Sequence, residues 1–95
     1  METLDFKRIE KEEIQRLRFQ RLEMLKDPDA IKLRNERLMR ACSLGNAHKG
    51  KVTIQFISSE GPHQVTTTIW NFSNDHVGLK NGIHIPIGAI TSVSL

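Results

Sequence analysis

The chain has 95 residues, 26% of them charged, with a formal net charge of +3 and one cysteine, Cys42. That is the length of one domain, or of a small domain with an appended arm. It leaves little room for a large buried enzyme cleft, and its modest core favours self-association. A lone cysteine excludes an intramolecular disulfide scaffold, and the lack of a long apolar run excludes a helical membrane span. The acidic start at Glu2 and Asp5 is unlike a signal peptide, so cytoplasmic residence is expected.

Charge is unevenly distributed. Residues 1–51 hold thirteen of the fourteen Lys and Arg and nine of the eleven Asp and Glu, a net +4; the remainder carries −1. This divides the chain into a charge-dense, mildly basic arm over 1–50 and a nearly uncharged β module over 51–95, packed together as one compact domain.

From about Asp5 to Lys26 the sequence lacks Gly and Pro and is rich in good helix formers, which predicts a helix. At 100° per residue, Phe6, Ile14, Leu17, Leu22, Met24 and Leu25 share a broad arc. Ile9 and Phe19 fall outside it, and Arg18 and Arg21 intrude, so the helix is expected to contact more than one neighbour. Asp27-Pro28 is an N-cap followed by the favoured first helical residue. A second helix is predicted from Pro28 to Ser43 or Leu44, with Ile31, Leu38, Met39 and Cys42 as its apolar stripe and Gly45 as its left-handed cap. Two helices joined this closely predict a helical hairpin. Residues 46–50 read as a linker.

The β module begins with Val52, Ile54 and Phe56 alternating against Thr53 and Gln55, the pattern of a half-buried strand. A loop through Ser58–Pro62 leads to a second strand, His63–Phe72, with Val65, Thr67 and Ile69 on one face and Thr66, Thr68 and Trp70 on the other. Ser73-Asn74-Asp75 is a turn, and His76–Lys80 a short third strand. Asn81-Gly82 is a strong hairpin signal, because a type I′ turn needs positive φ at both central residues. Ile83, Ile85 and Ile87 then face one way, with His84 opposite. Pro86–Ala89 breaks the ladder before a fifth strand, Ile90–Leu95. The expected fold class is α+β: an N-terminal helical hairpin followed by a five-stranded antiparallel small barrel or bent sheet.

The order of elements, the Asn81-Gly82 turn and the run Pro86-Ile87-Gly88-Ala89-Ile90-Thr91-Ser92-Val93 resemble Sm-like small barrels. The bacterial Sm-like RNA chaperones are the nearest comparison, and Src-homology-type barrels share the strand count. The shared letters are mainly Ala89, Ile90 and Val93. In that chaperone family a Lys-His pair serving the RNA site precedes the equivalent Ala-Ile. Here those positions are Ile87 and Gly88, so that RNA chemistry does not carry over. The whole chain also resembles short uncharacterised bacterial proteins, which implies no activity.

No catalytic constellation stands out, and the chain is expected not to be an enzyme. His48, His63, His76 and His84, with Cys42 and Asp75, match no zinc spacing, so no metal or cofactor is expected. Ser73, Asp75 and His76 lie together, but turn chemistry accounts for them. Cys42 lies on an apolar stripe and reads as core. The glycines form no phosphate loop. Trp70 suits packing between sheet and helix better than base stacking.

The best binding candidates are arginines: Arg16, Arg18 and Arg21 on the first predicted helix, and Arg34, Arg37 and Arg40 on the second. The second set, at i, i+3, i+6, makes a basic ridge able to contact phosphates. Glu13, Glu23 and Glu36 are interleaved with them, and an ion-paired, solvated surface explains the pattern more simply. The expected function is therefore a small non-catalytic binding or adaptor protein that forms homo-oligomers through its helices, with other protein partners open. The alternative is a nucleic-acid- or ribosome-associated module using the basic half.

Overall fold

The computed structural model describes residues 6–19, 23–48, 50–73 and 75–95, with backbone alone for 45–48. It is a mixed α+β fold. Among the described residues it has one α-helix, α1 (Pro28–His48), and seven strands in a four-stranded and a three-stranded sheet. The strands are β1 (Lys7–Arg8), β2 (Val52–Ser58), β3 (Gly61–Thr67), β4 (Asn71–Phe72), β5 (His76–Gly78), β6 (His84–Pro86) and β7 (Ile90–Ser94).

The predicted first helix does not form. Lys7–Arg8 instead lies parallel to β3, with Lys7 opposite His63, and Ile9 N–H donates to the Gln64 carbonyl at 2.9 Å. A short 3-10 turn follows over Lys11–Arg16, and the backbone is extended again at Leu17. The reason is energetic. Helix propensity is worth a few tenths of a kcal/mol per residue, whereas burying one large aliphatic side chain is worth about 1.5–3 kcal/mol. Ile9 and Ile14 are both buried, with Leu17 and Phe19 packed against the same core. No single helix face could deliver all four. The helical hairpin is thereby replaced by an irregular arm and one helix. Leu22, part of the predicted arc, lies outside the described residues.

α1 begins where expected. Asp29 N–H donates to Asp27 Oδ1 at 3.1 Å, and Ile31 N–H to the Asp27 carbonyl at 3.0 Å. It does not stop at Leu44: the helix continues through Gly45 to His48, so Gly45 is not its cap. Its inward stripe is Leu38 and Ala41, flanked by the half-buried Ile31 and Cys42; Met39 points outward.

The five-stranded barrel is also corrected. The predicted second strand divides into β3 and β4, which belong to different sheets. The larger sheet has the order β1-β3-β2-β7 and the smaller β4-β5-β6, and they do not form a closed barrel. β2 pairs antiparallel with β3 across a tight turn, Ser58 opposite Gly61, and Gly61 takes φ +114°. β2 also pairs with β7, with an irregularity at Gln55/Phe56. The β5–β6 turn is as the sequence predicts: Asn81 and Gly82 have φ +67° and +73°, and Leu79 N–H donates to the Ile83 carbonyl at 2.7 Å. A 3-10 turn at Ile87–Ala89 supplies the expected break before β7.

Ile54, Phe56 and Val65 from one sheet, Val77 and Ile85 from the other, and Leu38 from α1 belong to a single buried cluster. Both exposed edges of the larger sheet are managed. β1 covers β3 with two charged residues. Along β7, Arg34 Nη1 donates to the Ile90 carbonyl at 3.1 Å and Arg37 Nη1 to the Val93 carbonyl at 3.0 Å. Arginines of α1 thus occupy acceptors that another strand would otherwise seek.

Candidate functional site

A cleft of about 860 Å³ lies between α1, Phe19 and Glu23 of the arm, and residues flanking the β4–β5 turn. This is within the range of small-ligand sites. Its apolar lining includes Phe19, Ile31, Met39 and Phe72, and its polar lining Glu23, Arg34, Asn35, Asp75 and His76.

Arg34 sits at the base. Its side chain is 3% exposed, yet it carries a charge, so its partners decide whether the site is stable. Nη1 donates to Glu23 Oε2 at 2.6 Å and Nη2 to Glu23 Oε1 at 2.7 Å, a bidentate pair. Nη1 also reaches the Ile90 carbonyl, and Nε donates to Asn35 Oδ1 at 3.1 Å. Burial pushes the Glu23 carboxyl upward, but hydrogen bonds from Arg34 and from the Leu25 and Met24 backbone outweigh it and hold it below the ordinary carboxylate value. Glu23 is placed by its own segment, where Met24 N–H donates to the Gly88 carbonyl at 2.8 Å.

The opposite wall is the β4–β5 turn. Ser73 Oγ accepts from the N–H groups of Asp75 and His76, both at 3.3 Å, and Ile87 N–H donates to the Asp75 carbonyl at 2.9 Å. Ser73 is therefore a turn residue, as its sequence context predicts. The Asp75 backbone is fixed while its side chain is exposed. The His76 and His84 rings meet edge to face at 6.0 Å.

A second serine–histidine pair escaped the sequence. Ser58 Oγ lies 2.8 Å from His63 Nε2, both buried, with His63 stacked on Phe56 at 5.5 Å. His63 Nδ1 has no partner among the described residues. Both residues lie inside the sheet, which suits a structural role better than a reaction. Among the described residues no group of three or more His, Cys, Asp or Glu could hold a metal ion, and no helix is long and apolar enough to cross a membrane.

The predicted arginines are dispersed. Arg16 is exposed and bonded to Glu13 at 3.2 Å. Arg18 is exposed, with its carbonyl accepting from Ser59 N–H at 2.8 Å. Arg21 lies outside the described residues. Of the α1 set, Arg34 is turned into the protein and paired with Glu23, while Arg37 and Arg40 are exposed. Sequence reasoning offered Glu23 only as an acid partner for the arginines and missed its place in the cleft. The available signal was Arg34 itself, which stands between Ile31 and Leu38 on an otherwise apolar stripe.

The outer surface of α1 is the other notable feature. Leu33, Met39 and Leu44 are 51%, 61% and 41% exposed. At 100° per residue, Leu33, Arg37, Arg40 and Leu44 share one flank, with Glu36 beside it. No family model, curated protein or solved structure matches this chain.

Proposed function

We propose that this chain is a small non-catalytic binding protein that self-associates through the outer flank of α1. The observation that carries this reading is the pair Leu33 and Leu44, both strongly exposed on a helix whose opposite face is packed. Eleven residues apart, they lie on nearly the same line of the helix. Antiparallel pairing of two copies sets Leu33 of one against Leu44 of the other at both ends of the contact. The same register sets Arg37 of one copy opposite Arg40 of the other, with Glu36 one position away to offset the two like charges.

Sedimentation velocity tests this. The wild type is expected to dimerise at micromolar concentration, and Leu33→Asp to be monomeric. Glu36→Arg should weaken the dimer, because it removes the acid that offsets the facing arginines. A strict monomer at high concentration ends the proposal.

Arg37 and Arg40, exposed together, favour nucleic-acid binding as the second reading. It requires binding that falls steeply with salt and is lost in the Arg37→Glu/Arg40→Glu double variant. No binding at low salt removes it.

A further inference from the structure

The cleft on the other side of α1 is not used by that dimer, and its chemistry is specific. The Arg34 charge is already matched by Glu23 through two hydrogen bonds. The other acid in the lining is Asp75, and its carboxylate has no ion pair or hydrogen bond among the described residues. Asp75 is thus the acid of the lining with no cation matched to it. Phe19 and Phe72 are half-buried against the core, and Met39 is largely exposed beside them. These supply apolar and polarizable surface next to an unpaired carboxylate on a pinned turn.

We propose that the cleft takes a lysine or arginine side chain from an extended segment of a protein partner. The methylenes lie against Phe19, Phe72 and Met39, and the charged end reaches Asp75. Long basic side chains combine an apolar stem with a cationic head, matching both parts of this lining. Aromatic rings add attraction for the cation. An anionic ligand fits poorly, because the guanidinium that would receive it is already occupied.

The test is titration of ¹⁵N-labelled protein, wild type and Leu33→Asp, with acetyl-Leu-Arg-Leu-amide. The lysine, glutamate and citrulline peptides of the same form are compared at slightly alkaline pH. Saturable shifts centred on Phe72, Ser73, Asp75 and His76 are expected for the arginine or lysine peptide. Citrulline, which keeps the shape and loses the charge, should bind about fivefold more weakly, and Asp75→Asn should weaken the basic peptide by about the same factor. Asp75 is exposed, so that variant folds normally. The proposal is overturned by no saturable shift, by equal binding of the arginine and citrulline peptides, or by shifts centred elsewhere.

Discussion

Glu23→Gln isolates the bidentate ion pair at the base of the cleft. It keeps the side chain's shape, removes its charge and leaves the Arg34 guanidinium, 3% exposed, with the Ile90 carbonyl and Asn35 Oδ1. Glutamine offers one acceptor where the carboxylate offered two, and its amide NH₂ opposes a guanidinium N–H. Breaking a fully buried ion pair costs about 3–5 kcal/mol. Glu23 is 35% exposed, so water partly replaces it, and the expected loss is about 2 kcal/mol. Arg34→Met should cost less, about 1 kcal/mol, because the stranded Glu23 reaches solvent and methionine fills the space. The double variant should then be less destabilised than the sum of the two. Urea unfolding followed by circular dichroism measures all three. pH gives a second readout with a definite sign. The Glu23 carboxyl is held below its ordinary value in the folded state. Its contribution is thus complete above about pH 4.3 and is lost as pH falls through the depressed folded value. The stability gap between wild type and Glu23→Gln should narrow in that acid range. A Glu23→Gln protein within about 0.5 kcal/mol of wild type at neutral pH would show that the pair does not hold the arm to the helix.

Three further changes follow from local geometry, each read by the same unfolding assay. A Cβ at Gly78 would sit 2.2 Å from Asn71 Oδ1, so Gly78→Ala should cost about 1–2 kcal/mol, and adding Asn71→Ala should recover most of it by clearing the amide tip. Asn81→Val places a β-branched residue at φ +67° and should cost about 1–2 kcal/mol, whereas Asn81→Gly should be nearly neutral. Ser58→Ala removes the one hydrogen-bond partner that the buried His63 ring has among the described residues and should cost about 1–3 kcal/mol.

The sequence is most legible where one residue's own backbone chemistry decides the structure. Asp27-Pro28 starts α1, and Asn81-Gly82 turns β5 into β6, because caps and positive-φ turns are local facts. Alternation in β2 is similarly readable, since Val52, Ile54 and Phe56 are buried and their neighbours are not. Legibility fails where distant burial competes with local preference. Residues 7–16 have helix-forming composition, yet Ile9 and Ile14 go to the core from a strand and a 3-10 turn. No local rule announces that a two-residue strand will pair with β3. The division of the second predicted strand is similar: its alternation runs unbroken through Ile69, and only the two-sheet architecture shows that the chain bends between Thr67 and Asn71.

The arginine ridge illustrates the same limit for function. Spacing of i, i+3, i+6 treats Arg34, Arg37 and Arg40 as equivalent, but a helix docked on a sheet has an inside, an edge and an outside. Arg34 is inside and paired, Arg37 reaches across the edge to the Val93 carbonyl, and Arg40 is outside. Each position gives the same side chain a different setting: the base of the cleft, the β7 edge, and solvent. The consequence is that α1 cannot be shifted along its axis without cost at both Arg34 and Arg37. One helical turn of slippage, about 5.4 Å, would part Arg34 from Glu23 and both arginines from their carbonyls together. The helix is therefore fixed by directional bonds as well as by Leu38 and Ala41. A fixed helix can present Leu33 and Leu44 on one side and Met39 on the other in constant register, which a binding surface requires.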